Sequence, residues 1–339
     1  MESELRFQAL AALLTNDPSQ RGVAGLRPWG AKSAAAALHD TAETLLTRCQ
    51  HIGIVTGFYI PAANPPAAET DGPLGALALA HALTLSGKVV DLVTDHYAAA
   101  VLEKGSRIRD LRSRIYLSPE YHDDTTDFKL ARTMSFDIAG ASRRWDALIS
   151  IERAGPSHHA QSALRGAINR ELTAALFDAE VPPEHRDRRH DMRGVIIDHI
   201  TPPLDALFEE IKATRPDVYT LGIGDGGNEI GMGCFPWEQL RAAIQLGPGV
   251  QLACRIATDE VITAGTSNWG AYALVAALGI LDPKLPAREI LNVEDERTLL
   301  TRLVTEAGAV DGVTLQREPT VDGLSSDDYF AVMNELRNV

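Results

Sequence analysis

Six short apolar runs, each giving way to a longer stretch with helical spacing, constrain this chain more than any other feature. They lie at residues 51–56, 89–93, 115–117, 147–151, 218–223 and 252–257. A strand that is apolar nearly throughout needs cover on both faces, and a strand that regularly leads into a helix implies crossover connections. The alternation therefore predicts an α/β fold, a mostly parallel sheet covered by helices on both faces. Helices are expected at 31–48, at 73–86 behind Pro73 in a first-turn position, at 203–214 after a Pro-Pro start, and at 268–281 and 294–307. The first 15 residues read as an amphipathic helix.

The spacing gives a single α/β domain over 1–339. Residues 1–30 and 308–339 read as N-terminal and C-terminal extensions. Residues 155–191, with clustered His and Arg, Pro182-Pro183 and one helical stretch at 161–179, read as an insertion or flap. His158, His159, His185 and His190 fall in that segment without metal-ligand spacing and are read as solvated.

Charge and cysteine content narrow the class of partner. With 32 basic and 46 acidic side chains the net charge is −14, which repels a polyphosphate backbone and an anionic membrane alike. No nucleic acid and no membrane partner is expected, and a homo-oligomer is left open. Cys49, Cys234 and Cys254 are odd in number and form no C-x-x-C pair, so neither a disulfide framework nor a thiolate zinc site is indicated. Glu2 and Glu4 stand where a secretory signal needs basic residues, and the longest apolar stretch, 271–281, is too short to span a bilayer. A cytoplasmic location is the expectation.

Two acidic, glycine-rich loops carry the chemistry. The run Leu221-Gly222-Ile223-Gly224-Asp225-Gly226-Gly227-Asn228-Glu229-Ile230-Gly231-Met232-Gly233 follows an apolar strand. Gly222, Gly224 and Gly227 match the dinucleotide pattern G-x-G-x-x-G, but Asp225 lies where a pyrophosphate would approach. No acidic residue follows about 20 positions on to hold a ribose, so no nucleotide cofactor is expected. Asp225 and Glu229 instead suit proton handling or a hard divalent cation, Mn²⁺ or Mg²⁺. Capping of a following helix by Asp225 or Asn228 is the plain structural alternative.

The other loop ends in Glu69-Thr70-Asp71-Gly72-Pro73-Leu74-Gly75 and leads from a strand into a helix, where open parallel sheets bind ligands. Glu69, Asp71, Asp225 and Glu229 are the candidate catalytic carboxylates. Thr70, Gly72, Gly224, Gly226, Gly227 and Asn228 are candidate substrate contacts. Glu152-Arg153 follows the strand at 147–151, and its arginine suits a substrate carboxylate, with a structural ion pair as the alternative. Ser267 and Asn268 open another helix as contacts or caps. A G-x-x-x-x-G-K-[ST] loop, a G-x-S-x-G elbow and an H-E-x-x-H pair are all absent from the sequence.

These stretches, together with Thr56 to Pro61 and Met192-Arg193-Gly194, resemble the C-terminal domain of D-glutamate cyclase, a family with stand-alone bacterial members of about this size. The resemblance covers about residues 50–280, and the long glycine loop is its most specific part. It implies a lyase that dehydrates D-glutamate to 5-oxo-D-proline, and it adds Arg193 to the substrate contacts. The small acidic metabolite it implies needs its α-ammonium deprotonated and its γ-carboxylate made electrophilic, work suited to a carboxylate base and a cation held by oxygen ligands. Two other readings stay open. The 224–229 loop is similar to the acidic loop of haloacid-dehalogenase-like metal phosphohydrolases, whose D-x-D-x-T motif this chain lacks, and the same loops could serve a non-catalytic binding module.

Overall fold

The computed structural model describes residues 2–118, 136–244 and 248–339. Its main sheet has six parallel strands in the order β5-β4-β1-β6-β7-β8. The strands are β1 (His51–Thr56), β4 (Val89–Thr94), β5 (Arg114–Leu117), β6 (Ala147–Ile151), β7 (Tyr219–Gly224) and β8 (Glu260–Thr263), while β2 (Tyr59–Ile60) and β3 (Ala67–Ala68) form a small antiparallel ribbon.

Alternate side chains of the strands point to opposite faces, and both faces are packed. Ile52, Ile54, Leu92, Ile149, Ile151, Leu221, Ile223 and Ile262 join one core with the helices Glu2–Leu13, Ala34–Thr47, Pro73–Leu85, Ala99–Ile108, Ser267–Leu281, Val293–Ala307 and Ser326–Asn338. Val55, Val93, Leu148, Val218 and Val261 join a second core with the helices Phe136–Ser142, Arg170–Glu180, Asp205–Thr214 and Trp237–Ala243. This is why the strands read as continuous apolar runs. Among the described residues no helix is long and apolar enough to cross a membrane.

The expected sixth strand at 252–257 is not one; β8 takes its place. That run is apolar because it lies beneath the glycine loop. The Cys254 N–H donates to Gly227 O at 2.9 Å, and the Ile256 carbonyl accepts from Gly231 at 2.9 Å and Gly233 at 3.0 Å. The helix expected over 161–179 is broken into Ala160–Ala163 and Arg170–Glu180 by Gly166 at φ 67°, with Asn169 capping the second part. His158 and His190 are buried rather than solvated, at 3 % and 0 % exposure. His158 is drawn in by its N–H bond to Ala253 O at 3.0 Å, and His190 Nε2 meets His185 Nδ1 at 3.0 Å.

The chain leaves β1 in one direction through β4 and β5, then returns on the other side of β1 through β6, β7 and β8. This reversal separates the loops after β1 and β6 and opens the crevice where such sheets place ligands.

Candidate active site

The loop after β1 delivers Glu69, Thr70 and Asp71, the end of β6 delivers Glu152, the end of β7 delivers Asp225, and the turn after β8 delivers Ser267 and Asn268. The acidic loops converge on one point. The Ser267 N–H donates to Asp71 Oδ2 at 2.8 Å and to Asp225 Oδ2 at 3.1 Å, while Ser267 Oγ donates to Glu152 Oε2 at 2.6 Å. Oxygens of Asp71, Glu152 and Asp225 all lie within 4.8 Å of one another.

Close approach of the backbone makes this possible. A Cβ on Gly72 would stand 2.6 Å from Glu152 Cβ and 2.8 Å from Thr56 Oγ1, and Gly72 itself takes φ 90°. Glu152 holds φ 47°, a left-handed conformation costly for a residue with a side chain and typical of functional loops.

Asp71 does not cap the helix that follows it. Its carboxylate accepts from the Ser267 and Asn268 N–H groups, the latter at 2.9 Å, at the start of the Ser267–Leu281 helix. The Asn268 Oδ1 in turn accepts from Gly72 at 3.0 Å and Gly75 at 2.7 Å, at the start of the Pro73–Leu85 helix.

Glu229 is drawn into its own loop, where it accepts from the N–H groups of Asp225 at 3.2 Å, Gly226 at 2.6 Å and Gly227 at 2.8 Å. Gly224 closes β7, its carbonyl accepting from Ala264 at 3.2 Å. Asn228 donates to His190 O at 2.9 Å, and among the described residues its buried Oδ1 has no hydrogen-bond partner. Glu69 lies against Gly312, with its buried Oε1 also without a hydrogen-bond partner among the described residues, and Thr70 Oγ1 donates to Thr320 O at 2.8 Å.

Of the two arginines named from sequence, Arg153 is turned to structural partners and Arg193 reaches Gly312, against which Glu69 packs. Arg153 is 2 % exposed and donates to Gly57 O at 2.8 Å, to Pro202 O at 2.7 Å and to the Asp95 carboxylate. Arg193 is exposed and reaches the carbonyls of Gly312 at 3.3 Å and Val313 at 3.4 Å.

Sequence reasoning missed Arg21 and Asp322, which come from opposite ends of the chain. Arg21 pairs with Asp225 and donates to Asp322 Oδ1 at 2.7 Å. Their one sequence signal is a following glycine, Gly22 and Gly323, which marks a turn and nothing about its destination. Asp311 builds the turn that carries Asp322, accepting from Val313, Thr314 and Gly323 at 2.8 Å each.

Negative charge dominates the electrostatics. Burial pushes the carboxyls of Glu69, Asp71 and Glu152 well above the ordinary carboxylate range, and neighbouring carboxylates push the same way. Burial also raises Asp225, against the pull of Arg21. Asp322 rises to about 7 by burial, again opposed by Arg21. Among the described residues, Arg21 is the cation that pairs with this group. Three oxygen donors at one point and an excess of buried negative charge form a site that could hold a hard divalent cation.

Comparison with known proteins gives a concordant result. The model of the family described as D-glutamate cyclase-like, C-terminal, matches residues 10–181 and 179–337. A human protein described as D-glutamate cyclase, mitochondrial, is 29% identical over 280 residues, which is 81% of this chain and 39% of that protein. The chain thus spans well under half the length of this relative.

Proposed function

This chain belongs to the D-glutamate cyclase-like C-terminal family, and from that premise we propose that it is a lyase that dehydrates D-glutamate, or a closely related small amino acid, to its five-membered lactam. The observation that carries the proposal is the meeting of Asp71, Glu152 and Asp225 oxygens within 4.8 Å in a buried site. Three carboxylates without nitrogen or sulfur donors fit Mg²⁺ or Mn²⁺. A cation bound there would polarise the substrate γ-carboxylate.

Ring closure forms a C–N bond and breaks a C–O bond, and two protons leave the α-ammonium while water departs. Glu69 suits that transfer, because its Oε1 has no competing partner among the described residues and its raised pKa lets it exchange protons nearer neutrality. Asn228 Oδ1, an unpartnered acceptor, suits the substrate ammonium. Arg193 at the rim, held by two long bonds, is available for the α-carboxylate. Ser267 orients Glu152, and Glu229 shapes the backbone that presents Asp225.

The test is turnover of D-glutamate, L-glutamate and both 5-oxoproline enantiomers by the purified protein, with and without Mn²⁺. Cation-dependent lactam formation from D-glutamate is expected. If none of the four compounds turns over although Mn²⁺ binds, the enzymatic reading fails and a binding module remains.

A further inference from the structure

Both ends of the chain lie over the buried carboxylates. Asp71 and Asp225 are 2 % exposed and Glu152 is 6 % exposed. The N-terminal cover is the stretch 15–22, which runs between two apolar anchors, Leu14 in one core and Val23 in the other. Within that stretch only Arg21 is buried.

Local chemistry aims the arginine inward. The Asp17 carboxylate accepts from the N–H groups of Arg21 at 3.1 Å and Gly22 at 2.8 Å, and Gln20 and Gly22 take φ 53° and 89°, which closes a tight turn. The stretch is pressed onto the site, since Asn16 O fills the space that a Cβ on Gly265 would need, two residues before Ser267. Arg21 Nη1 pairs with Asp225 Oδ1. Toward the C-terminal turn, Nη1 donates to Asp322 Oδ2 at 3.3 Å and Nη2 donates to Asp322 Oδ1 at 2.7 Å. Ser19 Oγ adds a long bond to Asp322 O at 3.4 Å. Between its two anchors the cover is fastened chiefly by one guanidinium.

Such a fastening is sensitive to a second cation. A divalent ion held by Asp71, Glu152 and Asp225 would share Asp225 with the guanidinium, and like charges at close range repel strongly where water and salt are excluded. Asp322 remains as a partner for Arg21, so the contact is loosened without stranding a buried charge. We propose that residues 15–22 are a cation-gated strap: Arg21 latches the site shut as a tethered counter-ion, and a divalent cation bound by Asp71, Glu152 and Asp225 loosens the latch and opens the way for substrate. The inference rests on the cation reading of the site given above and not on the identity of the substrate.

The test is limited trypsin cleavage of the full chain at the Arg21–Gly22 bond, with and without Mn²⁺, beside calorimetric titration of wild type and Arg21→Met with Mn²⁺. Cleavage at a shielded bond follows the population of the open form. Mn²⁺ should speed the cut after Arg21 by about tenfold, the scale of one charge-assisted hydrogen bond, while cuts at arginines outside the strap should not rise. Arg21→Met should bind Mn²⁺ at least about tenfold more tightly, since no charge has to be moved aside. The cleavage measurement uses wild type and decides the matter whether or not the variant folds. Mn²⁺ binding by wild type with the Arg21 cut unchanged or slowed would overturn the proposal. So would a cut that rises only in step with those elsewhere, an Arg21→Met affinity no better than wild type, or failure of wild type to bind Mn²⁺. Binding without opening of the strap leaves the lyase reading standing, whereas opening without turnover of any of the four compounds removes that reading and leaves the strap.

Discussion

Asp71 and Asn268 exchange helix caps. The carboxylate of the first accepts from the N–H of the second at 2.9 Å, and the amide oxygen of the second accepts from Gly72 and Gly75, which follow the first. Each residue satisfies the free donors of the other's helix, so the two helix starts are locked at a fixed separation. Asn268→Ala leaves two buried donors without an acceptor and should cost about 2–3 kcal/mol in urea unfolding. Asp71→Asn keeps one accepting oxygen and turns an NH2 toward the N–H that the other oxygen met, so its cation-free stability should fall by about 1–2 kcal/mol, less than for Asn268→Ala, while Mn²⁺ binding is lost. A large destabilisation by Asp71→Asn would show that its charge is chiefly structural.

Glu229 and Glu152 should separate cleanly. The oxygens of Glu229 meet three backbone N–H groups, so Glu229→Gln points a donor at donors and should lower stability by about 2 kcal/mol. Glu152→Gln still offers an oxygen to Ser267 but removes one of the three carboxylates proposed to hold the cation. Calorimetric titration should give a Mn²⁺ affinity at least about tenfold weaker, with a near-normal melting temperature. The reverse pattern would place Glu229 in the ligand set beside Asp225.

Arg21→Met should destabilise the protein in a pH-dependent way. Asp322 titrates at about 7 in the folded protein, above its ordinary value, so the folded state holds its proton more tightly than the unfolded chain. Stability from this group is therefore present at acid pH and lost as pH rises through about 7. Removing Arg21 takes away the cation that moderates the loss. The variant should fall short of wild type by about 3–5 kcal/mol at pH 8 and by clearly less at pH 5.5, where Asp322 is protonated. Equal deficits at the two pH values would exclude the linkage.

Glu69→Gln should leave folding intact, because Oε1 has no partner to lose and a buried charge is removed. Under the proposed reaction, kcat should drop by a factor of about 10² to 10⁴. Retention of more than about a tenth of the activity would move the proton transfer to another carboxylate.

Fold class was legible because its signals are local. Apolar runs at 51–56 and 147–151 are strands in the structure with those bounds, since a strand covered on both faces is recorded in its own few residues. The run at 252–257 misled for the same reason. Its burial is real, but its neighbours are the glycine loop and residues 155–158 rather than a sheet, and burial alone does not say which.

The identity of the acidic loops was also readable, because glycines and carboxylates crowded after a strand have few structural uses. Which carboxylates face one another was not. Asp225 and Glu229 are four residues apart in one loop, yet Glu229 serves the backbone while Asp225 meets Asp71 and Glu152. Arg153, beside Glu152, joins Asp95 and two carbonyls, and the cation at the cluster is Arg21, paired with Asp322 across 301 residues. The sequence by itself determined five of the six strands of the main sheet, several of the long helices and the loops rich in carboxylates, because periodicity and turn chemistry act over a few residues. Only the tertiary structure decided which charges share a buried site, because the reversal of strand order at β1 and the docking of both chain ends bring together groups that no local pattern connects.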